Sequence, residues 1–143
     1  MSTEEALPGG FAIEVRVYYE DTDAAGVVYY ANYLRFMERA RNEWLRAHFG
    51  GPHELALKTR VLFAVRSAAL EFRAPARLDD VLRVTADPLS IRGASITFQQ
   101  DCWRNGKRVC AGKIDVVCVD ADTFAPRRLP RELIQVLAEA SAS

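Results

Sequence analysis

Along residues 13–19 apolar and polar positions alternate: Ile13, Val15, Val17 and Tyr19 share one side, and Glu14, Arg16 and Tyr18 the other. A period of two predicts a half-buried strand. The period then changes. After the loop EDTDAAGVVYY, the residues Tyr33, Met37, Ala40 and Trp44 recur at spacings of four, three and four, with Leu34, Phe36 and Leu45 widening the stripe. That spacing predicts a long amphipathic helix that begins near Tyr30 and is stopped by Gly50, Gly51 and Pro52. Arg35, Arg39, Glu43 and Arg46 fall on the other face, where Arg39 and Glu43 are spaced for an i,i+4 ion pair.

From there to about residue 120 the chain reads as strands. Residues 61–73 form a long run ending in the alternation Leu70, Glu71, Phe72, Arg73, and residues 81–87 turn Leu82, Val84 and Ala86 inward. Two further strands flank Asn105-Gly106, a pair that tolerates positive φ and favours a tight hairpin. A register centred on that turn sets Cys102 opposite Val109, so no disulfide between Cys102 and Cys110 is expected. Pro130 opens a short amphipathic helix carrying Leu133, Ile134 and Leu137.

One long helix against a curved antiparallel sheet of about five strands is an α+β, two-layer domain. It is expected over residues 11–138, with loose ends at 1–10 and 139–143. Such a sheet covers one helix on one face, which leaves its edges and second face open. A homodimer or homotetramer is therefore expected.

Composition narrows the function classes. A chain of 143 residues suits one domain, and 50% apolar with 27% charged residues is ordinary for a globular protein. Lys+Arg and Asp+Glu are both 19, so no net charge draws the chain to nucleic acid or anionic membranes. No apolar run nears the ~20 residues that span a bilayer. The first ten residues carry Glu4 and Glu5 and lack the apolar core of a signal peptide. Three cysteines at irregular spacing fit a reducing compartment, and a cytoplasmic location is expected.

The chemistry concentrates in Glu20, Asp21 and Asp23, followed by small residues and a helix start. In an extended chain Asp21 and Asp23 share a side. A neighbouring like charge and partial burial would raise a carboxyl's pKa towards that of a general base. The helix start supplies free N–H groups, donors that can stabilise an oxyanion by ~3–4 kcal/mol each. The same residues also suit caps and turns, and from the residues alone both readings stand. His48 and His53 read as surface residues, and no ligand set matches a metal site, so no metal or cofactor is expected. Cys118, in the apolar run 116–119, reads as core. No G-x-S-x-G elbow, Walker loop or G-x-G-x-x-G occurs.

The segment VRVYYEDTDAAGVVYYANYLRFMERARNEWLR closely resembles the signature of the YbgC/FadM-type acyl-CoA thioesterases, the Tol-Pal-associated branch of the 4-hydroxybenzoyl-CoA thioesterase family. The stretches FAVRSAALEFRAPARLDD, LSIRGASITFQQ and VVCVDADTFAPRRLP resemble the same family, in order, so the likeness covers roughly residues 13–134. It implies a hotdog fold, assembly into dimers or tetramers, and cofactor-free hydrolysis of an acyl-CoA to a carboxylic acid and CoA. Carried over, Asp23 is the catalytic carboxylate and the backbone N–H at Tyr30 the oxyanion donor. Gly26, Asn32 and Arg92 are the expected substrate contacts; Arg92, Arg127 and Arg128 are candidates for the nucleotide phosphates, and each also reads as a solvated surface arginine. Where many relatives carry His, this chain has Tyr30, a departure that bears on acyl preference. The alternative is a non-catalytic acyl-CoA or acyl-carrier-protein binding or scaffold protein. Asp23 speaks against it, because a binder gains nothing from a carboxylate beside a thioester. A hydratase would want a His paired with the Asp, and none is near.

Overall fold

The computed structural model describes residues 10–142, with side chains through residue 139. The elements follow in the order β1 (Ala12–Arg16), α1 (Asn32–Phe49), α2 (Pro52–Thr59), β2 (Val61–Phe72), β3 (Val81–Thr85), β4 (Asp87–Arg92), β5 (Ser95–Arg104), β6 (Lys107–Asp120) and α3 (Arg131–Ala142). The strands form one antiparallel sheet in the order β1-β3-β5-β6-β2, and β4 pairs with the first half of β5. Alternation turns Leu82, Val84, Ile96, Phe98, Cys102, Cys110, Ile114 and Val116 into a buried face. On it lies α1, which buries Tyr33, Phe36, Met37, Ala40, Trp44 and Leu45; of the stripe its spacing predicts only Leu34 falls outside, 39% exposed.

The layers approach closely at one glycine. A Cβ on Gly112 would stand 2.9 Å from both Met37 Cε and Leu70 Cδ2 and 3.0 Å from Gln100 O. Beside it, fully buried Gln100 links helix to sheet. Its Oε1 accepts from Arg41 Nη1 at 2.8 Å, while its Nε2 donates to the carbonyls of Met37 (2.8 Å) and Thr85 (3.1 Å).

Several expectations change. The first strand ends at Arg16, because Tyr19–Asp21 forms a 3₁₀ turn that leaves Tyr19 80% exposed instead of core-facing. After Gly50 ends α1 in the left-handed region (φ 84°), Pro52 does not begin a strand region but opens α2, where its missing N–H is no loss. The run 81–87 divides: Ala86 N donates to Phe11 O, and the register slips between Pro88 and Ser90, so β3 and β4 are separate strands of a six-stranded sheet. Glu43 pairs with Arg46 (3.3 Å), and Arg39 instead lies 6.0 Å over the Phe36 ring.

The Asn105-Gly106 hairpin forms with both residues at positive φ (51° and 77°). Beyond Trp103↔Arg108, however, Val109 bulges out and Cys102 pairs with Cys110, not Val109. The bulge has a use, since Val109 O accepts from both Arg73 N (2.9 Å) and Ala74 N (3.3 Å) and catches the chain leaving β2. Cys102, Cys110 and Cys118 are all free and buried.

Candidate active site

Residues 18–31 form a small hairpin organised by Asp21. Its Oδ2 accepts from Tyr18 N (2.8 Å), its Oδ1 from Asn32 Nδ2 (2.6 Å), and its carbonyl from Tyr29 N (2.9 Å). One residue thus joins the end of β1, the returning limb and the first residue of α1. Thr22 bridges Val28, and Asp23 N donates to Val27 O at 2.9 Å. At the tip Gly26 sits at φ 81° and donates to Asp23 O, a left-handed position where a side chain would be strained. Buried Val28 docks the hairpin, its N–H donating to Ala76 O at 2.8 Å.

Asp23 lies exposed on this frame, not partly buried. Its Oδ1 accepts from the N–H groups of Ala25 (2.9 Å) and Val27 (3.4 Å), and among the described residues Oδ2 has no donor. The 3₁₀ turn engages Asp21 elsewhere, so the two carboxylates do not share a side as an extended chain would have them. The helix starts at Asn32, two residues after Tyr30, and its N-cap Ala31 supplies no side-chain cap. Among the described residues the Tyr30 N–H has no acceptor. The hairpin therefore presents a carboxylate with one open oxygen and, on its other limb, an unengaged backbone donor two residues ahead of α1.

Aromatic side chains wall this place. Tyr30 packs against Tyr29 (4.9 Å between centroids) and edge-on to Phe72 (6.3 Å), which also meets Tyr33 at 5.8 Å. The Tyr30 phenol pushes the Tyr29 pKa up, and burial lifts Tyr33 to about 12, so both rings stay neutral.

Residues 17–137 match the family described as the thioesterase-like superfamily. The chain is 45% identical over 126 residues to the acyl-CoA thioester hydrolase YbgC of Escherichia coli O6:H1, covering 87% of this chain and 92% of that protein. It is 41% identical over 127 residues to the acyl-CoA thioesterase YbgC of Haemophilus influenzae, covering 89% and 93%. The chain belongs to the YbgC branch of the thioesterase-like superfamily. A solved thioesterase-superfamily structure from Jannaschia sp. CCS1 superposes with a TM-score of 0.86 at 26% identity, covering 92% of this chain and 93% of that one. The hotdog arrangement of this YbgC-branch chain is thus that of its superfamily.

Of the site residues expected from the sequence, Asp23, Gly26 and Tyr30 lie on the hairpin and Asn32 opens α1 beside it. Gly26 shapes its tip, and the Asn32 amide ties α1 to Asp21. Arg92 does not join them. It pairs with Ser95 at one end of β5, whereas the other end, Arg104, is held to Pro75 O (2.6 Å) beside the hairpin's dock at Ala76. The ten residues of β5 at ~3.3 Å each put roughly 30 Å between the two ends. Arg127 lies at the Arg92 end, its N–H donating to Cys118 O while Cys118 N donates to Ala94 O.

Cys118 is core as expected, its thiol pushed up to about 11 by burial, and the Cys102 thiol is raised well above its ordinary value by Cys110 and burial. His48 and His53 are exposed, the former with its ring 4.6 Å from Trp44. Among the described residues no group of His, Cys, Asp and Glu could hold a metal ion, and no helix is long and apolar enough to cross a membrane. Sequence reasoning missed the Arg41–Gln100 pair. Its signal was available, because Gln100 interrupts the inward series Ile96, Phe98, Cys102 with a polar residue.

Proposed function

We propose that this chain is an acyl-CoA thioesterase in which Asp23 supplies the reacting carboxylate and the Tyr30 N–H binds the oxyanion. The observation that carries the reading is the Asp23 carboxylate itself, anchored through Oδ1 and open at Oδ2, on the same hairpin as the unengaged Tyr30 N–H, two residues ahead of α1. The thioester carbonyl would lie between them. Asp23 then either attacks that carbon, giving a mixed anhydride that water cleaves, or removes a proton from a water that attacks directly. In both routes the C–S bond breaks as CoA leaves as a thiolate, and the acid product carries one oxygen from water. Donors fixed by backbone need no reorganisation as the oxyanion forms.

A homo-oligomer completes the site in this reading. β2 ends the sheet with an unpaired edge, along which residues 64–69 are exposed. Antiparallel pairing of two such edges would bring the arginine end of one subunit towards the Asp23 hairpin of the other, which one chain keeps apart. With acyl-CoA as substrate, a cytoplasmic setting follows as part of the same proposal.

The test is Asp23→Asn, which keeps shape and removes charge. Turnover of the best acyl-CoA should fall by ~100-fold or more with fold and assembly intact. Parental turnover in the variant would refute the assignment. Binding of acyl-CoA without turnover in the parent would favour the scaffold reading.

A further inference from the structure

Along the second half of α1, away from the Asp23 hairpin, α1, the sheet and α3 line a half-open cavity of about 300 Å³. That is the lower end of the range for small-molecule sites. Trp44, Leu45, Phe63, Phe98 and Leu133 give it an apolar wall. Arg41 also lines it, and nothing in the thioester chemistry uses Arg41.

Arg41 is a part-buried cation. Among the described residues its hydrogen bond runs from Nη1 to the neutral Gln100 Oε1, and no carboxylate lies within ion-pair distance. Desolvation pulls its pKa down, and Glu38, one turn earlier on α1, pushes it partly back. A guanidinium offers five donors in a planar fork, so those not given to Gln100 are open to water or to a ligand. Gln100 is itself fixed by the carbonyls of Met37 and Thr85, which holds the fork in place before any ligand arrives. A positioned, half-desolvated guanidinium facing an apolar cavity favours a carboxylate, which it can hold through two charge-assisted hydrogen bonds. Glu38 and Asn42 are the other polar lining residues, and Glu38 is exposed, where its repulsion of an anion is screened.

We propose that this cavity binds a carboxylate carried on a medium-length apolar chain, with the carboxylate on Arg41 and the chain along Trp44, Phe63 and Phe98. Two sources share that chemistry: the far end of a dicarboxylic acyl thioester, and a free fatty acid. The first rests on the hydrolase reading above; the second does not.

The experiment compares parent, Arg41→Met, Arg41→Lys and Glu38→Gln, each checked for fold by circular dichroism. Octanoate binding is measured by calorimetry, and kcat/KM is measured for suberoyl-CoA and octanoyl-CoA. Octanoate should bind the parent, about tenfold more weakly in Arg41→Met, and more tightly in Glu38→Gln. Arg41→Lys keeps a cation and a donor for Gln100, so it folds if Arg41→Met does not, and should weaken octanoate severalfold because an ammonium lacks the fork. If the suberoyl-to-octanoyl ratio of kcat/KM also drops about tenfold in Arg41→Met, the thioester's far carboxylate is the ligand. If only octanoate binding changes, the ligand is the free acid. Hydrolysis of neither thioester, with Arg41-dependent octanoate binding, would leave the free acid as the ligand, while the hydrolase reading stands or falls on the Asp23→Asn test with its best acyl-CoA. Octanoate binding and substrate ratio both indifferent to Arg41 and Glu38 would overturn the proposal.

Discussion

Gln100→Leu tests whether one buried amide holds α1 on the sheet. The substitution keeps the approximate volume and removes three hydrogen bonds together: from Arg41 Nη1, to Met37 O and to Thr85 O. Met37 O loses least, because it lies within α1 and also serves the helix ladder. Thr85 is 1% exposed, and leaving its carbonyl with one partner fewer costs at most ~1–3 kcal/mol. Arg41 loses a charged hydrogen bond worth ~1.5–3 kcal/mol, partly recovered by water entering the cavity. Leucine returns about 1–2 kcal/mol through its own apolar burial. The net expectation is a destabilisation of ~2–4 kcal/mol. For a chain of this size each kcal/mol moves the melting midpoint by roughly 2–5 °C, so Tm should fall by about 5–15 °C. The assay is thermal unfolding followed by circular dichroism at one protein concentration, since an oligomer's midpoint moves with concentration. A Gln100→Leu protein within about 0.5 kcal/mol of the parent, or above it, would show that the polar link does not hold the layers together.

Three further outcomes are expected. Tyr30 is 62% exposed, so Tyr30→Phe should leave turnover within a few-fold; a ~100-fold loss with assembly intact would make its phenol a proton relay in place of the backbone donor. Asp87 has its pKa raised, chiefly by burial and then by Asp101, against the opposing Phe11 N–H and Arg83. The folded state therefore holds that proton more tightly than the unfolded one, a contribution present below the unfolded value of ~3.9 and lost as pH rises through the folded pKa. Asp87→Asn should accordingly melt higher than the parent at neutral pH, with the gap closing in acid; a lower melt at neutral pH contradicts this. In sedimentation at micromolar concentration the chain should run as a dimer or larger, and a lone 16.0 kDa species would remove the argument from the β2 edge.

The α1 stripe and the Asn105-Gly106 turn were legible because each is written locally, in a 3.6-residue period and in two residues that accept positive φ. The Val109 bulge was not, since one extra residue on a strand leaves the alternation on either side intact and only the partner reveals the slip. Pro52 misled because the same residue both ends one helix and suits the first turn of the next. In the site, Asp23, Gly26 and Tyr30 share a short segment, and their company could be read directly. What Asp21 does with its oxygens depends on Tyr18, Tyr29 and Asn32 meeting in three dimensions, and Arg92 failed to join because the length of β5 separates it from the hairpin.

The strand order also sets when this protein can fold. Ala12 pairs with Thr85 and Val61 with Asp120, so β1 and β2 must wait for segments made much later, while only the β4–β5 and β5–β6 pairs are neighbours in sequence. Non-local pairings of this kind slow folding and prolong exposure of apolar surface. On the ribosome, the helix with its buried stripe and the strand beside it emerge before the β6 platform that receives them. The nascent chain thus carries its apolar load unsheltered until its last quarter is synthesised, which makes the N-terminal half, and not the finished sheet, the natural client for a chaperone.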